Sequence, residues 1–334
     1  MRHSPVSASN DRPRAILVAA TAAVFVLVMG GCSPAADRSA AATTAAASMV
    51  PTRSASAVPS PTLAPSASPE ALVELLAAGD VADCSMAGAA LTSEILAEYP
   101  DATIAVLGDL AYPTATAERF DACYDPTWGQ FLDRSRPAIG NHDLDADAGA
   151  PYYATFGDAA GTPGEGWYSY DLGAWHVVVL NSNCDRIGCE EGSAQHRWLA
   201  ADLAASDAHC TLAYLHHPRF TSGQHGDDPR LDPFWRALAD AGAELLLVGH
   251  DHHYERFAPM AADGSADPAG LRQFIVGTGG AIIRPVVRVA PGSEMIVDDA
   301  WGVLQLTLSA DSYGWSFLTV DRGELDSGTG ECHD

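Results

Sequence analysis

The sequence predicts an α/β fold whose strands are buried. Short apolar runs recur from residue 72 onward, and several of them stop abruptly at Gly, Asp, Asn or His. Helix-like stretches lie between these runs. Apolar runs of about five or six residues that alternate with helices are typical of strands covered on both faces.

Five of the predicted strands end in polar residues that bind metals well. In open α/β sheets, ligands bind just beyond the carboxyl ends of the strands, so we expect these polar residues to form a site. The predicted strands cover residues 72–80, 103–109, 136–143, 211–218 and 243–253, and the predicted helices cover residues 86–99, 193–206 and 232–242.

Further predicted strands complete the sheet structure. Residues 166–182 have the pattern of a hairpin that turns at Leu172–Gly173. Residues 271–280, 302–309 and 316–321 are predicted as strands. Within them, "LQLTL" alternates apolar and polar residues, which indicates an edge strand or a half-exposed strand.

Residues 1–31 are predicted to be a signal peptide. Arg2, Arg12 and Arg14 precede an apolar run that ends in "MGGC", which resembles a bacterial lipobox. Cys32 would then be lipidated and become the mature N-terminus. The alternative is an uncleaved anchor helix, but the apolar run is shorter than the ~20 residues that a membrane span needs.

Residues 32–70 are nearly all Ala, Ser, Thr and Pro, and they lack hydrophobic periodicity. Such a segment cannot bury enough apolar surface to offset its ordering entropy, so it is predicted to be a flexible tether. The two segments together predict an extracytoplasmic protein. It would be a cell-surface lipoprotein that contacts the membrane only through its lipid anchor, or a secreted protein.

The rest of the chain is predicted to be one catalytic domain over residues 71–325, followed by a C-terminal tail over residues 326–334. The net charge is −25 and every basic residue is arginine. No basic stripe is available to neutralise a nucleic-acid backbone, so we expect no nucleic-acid partner. An anionic small-molecule substrate would need a metal ion to hold it. The oligomeric state stays open.

Cysteine content indicates disulfide bonds, because an exported chain carries six cysteines besides Cys32. Cys184 and Cys189 are close enough in sequence to pair across a short loop. Pairs between Cys84 and Cys123 and between Cys210 and Cys332 would follow, but the sequence leaves other pairings open. A metal-binding role for these cysteines is less favoured, since no CxxC spacing occurs.

The polar residues at the strand ends are of types that suit two adjacent cations of the Fe, Zn or Mn kind. Each cluster alone has a simpler interpretation, such as a helix cap, a turn or a structural histidine. Together, a carboxylate such as Asp109 could bridge two cations. The two histidines of an HxH sequence point the same way in extended backbone. The candidate ligands are Asp80, Asp109, Tyr112, Asn141, His216, His250 and His252.

The order "GD…GDxxY…GNHD…HHP…GHxHxYER" resembles the calcineurin-like metallophosphoesterase superfamily, and within it the purple acid phosphatase branch. These motifs run from residue 79 to residue 256. The resemblance implies a two-sheet β-sandwich flanked by helices, a four-layer α/β architecture with the site along one edge.

The resemblance also implies which residues hold each metal. Asp80, Asp109, Tyr112 and His252 would hold one ion, and the other would be held by Asn141, His216, His250 and the shared Asp109. A phenolate is a good ligand for ferric iron, so the implied pair is Fe(III) with divalent Zn, Fe or Mn. Sister branches have a histidine where this chain has Ala82, and Tyr112 replaces it.

The implied activity is hydrolysis of phosphomonoesters by a metal-bound hydroxide. The resemblance implies that His142 and His225 bind phosphate and donate a proton, with Asp143 orienting His142. His217 and His253 are candidates for supporting the ligands, or are structural histidines. Tyr254, Glu255 and Arg256 are expected to brace their loop. The alternatives are a phosphodiesterase or nucleotidase on the same scaffold, and a metal-binding surface lipoprotein without turnover.

Overall fold

The computed structural model describes residues 72–333. The predicted signal peptide, Cys32 and the tether lie outside these residues, and so do the first residue of the predicted domain and the last residue of the chain. Within residues 72–333, no helix is both long and apolar enough to span a bilayer.

The first sheet has six strands in the order β15-β14-β13-β1-β3-β5. Strands β1, β3 and β5 are parallel, whereas β13, β14 and β15 pair in antiparallel fashion, and β13 joins β1. The strands are β1 (Val73–Ala78), β3 (Thr103–Val106), β5 (Ser135–Pro137), β13 (Gly302–Leu308), β14 (Ser312–Thr319) and β15 (Gly323–Glu331).

The second sheet has seven strands in the order β12-β10-β11-β9-β8-β7-β6. Its centre, from β11 to β7, is parallel, and antiparallel strands close both edges. The strands are β6 (Tyr168–Leu172), β7 (Trp175–Val179), β8 (Cys210–Tyr214), β9 (Leu245–Val248), β10 (Tyr254–Phe257), β11 (Arg272–Val276) and β12 (Ser293–Val297). A separate short pair joins β2 (Ala82–Asp83) and β4 (Ala111–Tyr112).

Helices fill the connections between the strands. Residues 72–333 contain seven α-helices, of which α1, α6 and α7 are longer than seven residues. The α-helices are α1 (Gly88–Glu98), α2 (Ala117–Arg119), α3 (Asn141–Leu144), α4 (Ala150–Phe156), α5 (Cys184–Ile187), α6 (Ala194–Ala205) and α7 (Asp232–Asp240). A π-helix covers Phe120–Tyr124, and 3-10 turns cover Trp128–Arg134, Asp147–Gly149, Gly157–Ala160 and Pro229–Leu231.

The alternation of side chains along the second sheet divides the core into layers. In β7, Val177 and Val179 belong to the large cluster that also contains the first sheet, whereas Val178 packs in a second cluster with α6 and α7. Successive side chains of a strand point to opposite faces, so one face meets the other sheet and the other face meets helices. The fold is therefore the α/β sandwich of two sheets with flanking helices that the sequence analysis expected.

Three disulfides join Cys84 to Cys123, Cys184 to Cys189, and Cys210 to Cys332. These are the pairs that the sequence analysis named first. The last of them ties the start of β8 to the end of β15, across 122 residues of chain.

One expectation about the C-terminal part differs from the structure, and another is confirmed in one of its two alternatives. Strand β15 extends to Glu331 and pairs along β14, so residues 326–331 are part of the sheet and not a tail. Strand β13, which contains "LQLTL", lies between β1 and β14, so it is half-exposed but not an edge strand. The alternation of apolar and polar residues arises because β13 has one face toward the core and one toward partly accessible surface.

Candidate functional site

The candidate ligands gather at the carboxyl ends of five parallel strands. Each of these ligands lies only a few residues after the last residue of its strand. Asp80 follows β1, Asp109 follows β3, Asn141 follows β5, His216 follows β8, and His250 and His252 follow β9. Strands from both sheets therefore contribute to one site at one edge of the sandwich.

Asp80 is fully buried and has a left-handed backbone conformation, with φ of 59°. Its Oδ1 atom accepts a hydrogen bond from the Tyr112 hydroxyl at 2.6 Å. Its Oδ2 atom accepts one from the backbone N–H of His250 at 2.8 Å. A non-glycine residue with this φ is strained, and such strain is concentrated at functional sites.

Asp109 has the same unusual conformation, with φ of 55°, and it touches both halves of the site. Its Oδ2 atom lies 3.1 Å from the Tyr112 hydroxyl and 3.2 Å from His216 Nε2. Its Oδ1 atom accepts the backbone N–H of His142 at 2.8 Å. The neighbouring Gly140 has no room for a Cβ atom, because that atom would collide with the Asp109 carboxylate.

Asp80, Asp109, Tyr112 and His252 form the first cluster. His252 Nε2 lies 3.1 Å from the Tyr112 hydroxyl and 3.3 Å from Asp80 Oδ1. The other ring nitrogen, Nδ1, lies 2.7 Å from the carbonyl of Ile282, so it is the donor in that pair. Nε2 therefore keeps its lone pair, which is the arrangement that a metal-binding histidine needs.

His216, His250 and Asn141 form the second cluster. His216 Nδ1 lies 2.8 Å from the Leu107 carbonyl, which leaves Nε2 facing Asp109 Oδ2 at 3.2 Å. His250 Nδ1 lies 3.2 Å from His216 Nε2. The Oδ1 atom of Asn141 is buried and has no hydrogen-bond partner among residues 72–333. A buried polar atom without a partner is costly, so it indicates a missing ligand such as a cation.

The negative charge of the buried Asp80 and Asp109 carboxylates also fits a site for cations, and it affects the pKa values of neighbouring groups. Burial alone would lower the pKa of His216, but the Asp109 carboxylate beside it raises that pKa to about 9. Burial, together with the charges of Asp109 and Asp80, raises the pKa of the Tyr112 hydroxyl well above its ordinary value. Ligand atoms of Asp80, Asp109 and His216 lie within 4.8 Å of one another. The donor set and the partnerless Asn141 oxygen thus fit two neighbouring cations.

The backbone that carries His250 and His252 is not extended, as the sequence analysis expected it to be, although the two histidines do reach different clusters. His250 has φ of 69° and is not extended, so a tight turn, not a straight strand end, aims the two rings. His250 faces His216, whereas His252 faces Tyr112 and Asp80.

His142 lies at the opening of the site, but Asp143 does not orient it. The His142 ring is partly exposed, with Nδ1 at 2.5 Å from the Pro113 carbonyl and Nε2 at 3.8 Å from Asp109 Oδ2. Asp143 is buried and accepts the backbone N–H groups of Asp109, Leu110 and Gly140, at 2.8, 2.9 and 2.9 Å. Asp143 therefore holds the Asp109 loop in place, because α3 turns its side chain inward, away from the His142 ring.

His225 is paired with a carboxylate that the sequence analysis missed. The Nδ1 atom of His225 lies 2.7 Å from Asp251 Oδ1, and Asp251 also accepts the Thr221 hydroxyl at 2.7 Å. Asp251 is the middle residue of "HDH", so a carboxylate between two predicted ligands was the only signal in the sequence. Its distance of 26 residues from His225 hid the pairing.

The two remaining candidate histidines, His253 and His217, have different surroundings. His253 is buried and bonds to Glu255 Oε2 at 3.0 Å, outside both clusters. His217 is half-buried, and one of its ring nitrogens lies within 4.8 Å of ligand atoms of His216 and His250. Tyr254 and Arg256 bond to Asp326 at 2.7 and 2.8 Å, so they brace β10 as expected.

Two cavities that share two lining residues lie beside the second cluster, and we refer to them together as the cleft and to each as a lobe. The lobe with a volume of 190 Å³ is lined by His225, Asp228 and His250. The lobe with a volume of 180 Å³ is lined by Asn141, Asp145 and Ser182. His217 and Arg230 line both lobes. We name them the His225 lobe and the Asn141 lobe.

The model of a known protein family, described as calcineurin-like phosphoesterase, matches residues 73–254. This stretch holds all of the candidate ligands. The chain belongs to the calcineurin-like phosphoesterase family. As a member of that family, it is similar to purple acid phosphatase 18 of Arabidopsis thaliana, with 26% identity over 52% of this chain and 42% of the relative.

Other curated relatives support the purple acid phosphatase branch of the family. This phosphoesterase-family chain is 31% identical to purple acid phosphatase 21 of Arabidopsis thaliana over 34% of its length and 26% of the relative. It is 25% identical to an acid phosphatase of Aspergillus ficuum over 49% of its length and 35% of the relative. The chain spans less than half the length of the curated relatives it matches.

Solved structures show the same fold. The purple acid phosphatase PPD1 of yellow lupin (Lupinus luteus) aligns with a TM-score of 0.63 at 18% identity, covering 78% of this chain and 54% of that one. GAP50, the anchor in the inner membrane complex of Plasmodium, aligns with a TM-score of 0.63 at 16% identity, covering 79% and 90%. These matches confirm the metallophosphoesterase fold.

Proposed function

We propose that this chain hydrolyses phosphomonoesters at a centre of two metal ions, one ferric and one divalent (Zn, Fe or Mn). The observation that carries the proposal is the position of Asp109. One of its carboxylate oxygens is 3.1 Å from Tyr112 of the first cluster and 3.2 Å from His216 of the second. A carboxylate in that position is suited to bridge two cations.

The ligands would divide as the clusters do. Asp80, Tyr112 and His252 would hold the ferric ion, and Asn141, His216 and His250 would hold the divalent ion, with Asp109 common to both. Two bound cations would supply a nucleophile by acidifying water and would neutralise charge on the phosphoryl group. Asp143 keeps Asp109 in place through the three backbone N–H groups that it accepts.

His225 is the group that we assign to proton donation. In the reaction, water attacks phosphorus, the ester P–O bond breaks, and the leaving oxygen takes a proton from His225 Nε2. His225 then regains a proton from solvent. Asp251, whose Oδ1 atom is 2.7 Å from Nδ1, holds the ring by that nitrogen and leaves Nε2 for the leaving oxygen.

His142 has a different partner and so a different proposed role. Its Nδ1 atom lies 2.5 Å from the backbone carbonyl oxygen of Pro113, which fixes the orientation of the ring. Its Nε2 edge lies near Asp109, at 3.8 Å from Oδ2. We assign His142 to hydrogen bonding with a phosphoryl oxygen.

The test combines metal analysis with kinetics. Purified protein should contain two metal ions per chain and should hydrolyse 4-nitrophenyl phosphate faster than bis(4-nitrophenyl) phosphate. Higher activity on the diester would favour a phosphodiesterase, and faster turnover of nucleoside monophosphates than of other monoesters would favour a nucleotidase. Full metal content without turnover of any ester would favour a metal-binding lipoprotein.

The role of His225 has its own test, because a poor leaving group needs a proton more than a good one does. His225→Gln should slow hydrolysis of an alkyl phosphate much more than hydrolysis of 4-nitrophenyl phosphate. His209→Gln is the matched control, since His209 is exposed and outside the cleft. Equal loss on both substrates would contradict proton donation by His225.

The location of the protein is also part of this proposal. We propose that the chain works outside the cytoplasm, as a lipoprotein on the cell surface or as a secreted protein. The three disulfides support this, because disulfides persist in oxidising compartments. The substrate is proposed to be a small phosphoester.

A further inference from the structure

His217 faces the cleft but has no role in the proposed reaction. It follows His216 directly and lines both the His225 lobe and the Asn141 lobe. Its ring centroid lies 4.3 Å from that of His250 and 4.9 Å from that of His216. A ligand bound in either lobe therefore lies near this ring.

Ser182 fixes which nitrogen of His217 carries the proton. The Ser182 hydroxyl oxygen accepts the backbone N–H of His217 at 2.9 Å and lies 2.7 Å from His217 Nδ1. No other hydrogen-bond partner of that hydroxyl is present among residues 72–333. Ser182 is fully buried, so its hydroxyl hydrogen needs an acceptor. The Nδ1 lone pair is that acceptor.

The consequence concerns the opposite side of the ring. When Nδ1 accepts a hydrogen bond, the neutral imidazole carries its proton on Nε2, which is then a donor. Within the part of the chain that the structure describes, Nε2 has no hydrogen-bond partner. A donor without a protein partner, on a ring that lines a cleft, is suited to an anionic ligand.

We infer that His217 is a substrate-binding residue whose Nε2–H donates a hydrogen bond to a phosphoryl oxygen beside the second metal position. Ser182 is the positioning residue that maintains the required tautomer. This inference rests on the proposed function, because it assumes that a phosphoester enters the cleft.

The competing role for His217 is that of an additional metal ligand. Its proximity to ligand atoms of His216 and His250 favours that role on distance alone. A ligand nitrogen must be free of its proton, however, and Nε2 without a proton would leave the buried Ser182 hydroxyl hydrogen without an acceptor. The two roles predict different results for metal content.

Binding of inorganic phosphate to the metal-loaded protein, measured by calorimetry, tests the inference. His217→Ala should keep two metal ions per chain and weaken phosphate binding about 10-fold, as expected for loss of one hydrogen bond to a charged group. His217→Gln should recover part of the affinity, because its amide can donate from a similar position. Thermal unfolding of both variants would report any loss of folding.

Ser182→Ala supplies the second arm of the test. It should weaken phosphate binding in the same direction, because Nδ1 can then take the proton. Ser135→Ala is the matched control: Ser135 is also buried, and its hydroxyl donates to the Phe131 carbonyl at 2.8 Å, away from the cleft. The control should bind phosphate like the parent protein.

Three results would overturn the inference. Loss of one metal ion in His217→Ala would make His217 a ligand instead. Unchanged phosphate affinity in a folded His217→Ala variant would make it a structural residue. An equal effect of Ser135→Ala would remove the role of Ser182. Failure of the proposed function is a separate result, because it would be seen as absent turnover in a parent protein that binds phosphate.

Discussion

The hydroxyl oxygen of Tyr112 and Oδ1 of Asp80 lie 2.6 Å apart, between the ends of two neighbouring parallel strands. The hydroxyl also lies 3.1 Å from both Asp109 Oδ2 and His252 Nε2. Three other potential ligands thus converge on the phenol oxygen. Residue 82, where this chain has alanine, lies in β2, which pairs with the strand that carries Tyr112.

Replacing Tyr112 tests whether the first cluster holds ferric iron. The oxidised parent protein should be coloured by charge transfer from the phenolate, and Tyr112→Phe should lose that absorption band while Asp80, Asp109 and His252 remain. The measurement is a visible spectrum with iron analysis of the same sample. Tyr170→Phe is the matched control, since the Tyr170 hydroxyl bonds to Tyr214 and not to the site. An active, colourless parent protein with only zinc or manganese would contradict the iron assignment.

Asp109→Asn should remove both metals, because one carboxylate serves both clusters. We expect a loss of activity of at least about 100-fold, since disturbing even a supporting group of a metal site costs 10- to 100-fold. Metal content per chain is the direct measurement. Asp171→Asn serves as the control, because the Asp171 side chain is largely exposed. Normal metal content in Asp109→Asn would refute the bridging role.

Gly140→Ala should damage the site without unfolding the domain. The added Cβ would collide with the Asp109 carboxylate, so either that side chain or the loop must shift. A misplacement of ~1 Å in a catalytic site can cost about 100-fold in rate. Gly314→Ala is the control, because a Cβ there meets nothing closer than 3.7 Å. Both variants should be compared by activity, metal content and thermal unfolding, and parental activity in Gly140→Ala would contradict this packing argument.

Asp326→Asn should destabilise the fold by roughly 2 kcal/mol at neutral pH, since it weakens charged hydrogen bonds to Tyr254 and Arg256. Burial would raise the pKa of Asp326, but the hydrogen bonds from Arg256 and Tyr254 lower it overall. A depressed pKa stabilises the fold above the unfolded value near 4, and this contribution is lost as the pH falls through the folded value.

The difference in unfolding free energy between the parent and Asp326→Asn should therefore narrow below about pH 4. Denaturant unfolding at several pH values measures it, with the exposed Asp321→Asn as the control. A difference that stays constant across this range would show that the ionised carboxylate is not the cause.

Cys32→Ser should release the protein from membranes if Cys32 carries a lipid. The readout is the distribution of the full chain between membrane and soluble fractions of the producing cells. Cys84→Ser is a control for loss of a cysteine in the domain. Membrane retention of Cys32→Ser would favour the uncleaved anchor helix.

The ligand positions could be predicted from sequence because the information is local. An apolar run that stops at Asp80, Asp109 or His250 locates a strand end, and the order of the motifs indicates the family. The partners of these residues could not be predicted in this way. Asp143 was expected to orient the adjacent His142, yet it bonds to backbone 33 and 34 residues away. Such contacts depend on how the strands pack side by side.

The same reasoning explains which strands were missed. Strand β10 starts directly after the histidine turn and has only four residues, so it offers little periodicity. Strand β15 is rich in Gly and acidic residues and has little apolar signal, although it pairs along nearly all of β14. In both cases pairing with a neighbouring strand, and not the residue pattern, creates the strand.

The position of β1 has a consequence for how this protein can be divided. The family match ends at residue 254, and every proposed ligand lies inside it. Strand β1, however, forms hydrogen bonds with β13 on one side and with β3 on the other. Strand β13 lies outside the family match. During synthesis from the N-terminus, the strand that precedes Asp80 must wait until residues 302–308 have been made before its sheet can close. The segment that contains every proposed ligand therefore cannot complete its own sheet without the later strand β13.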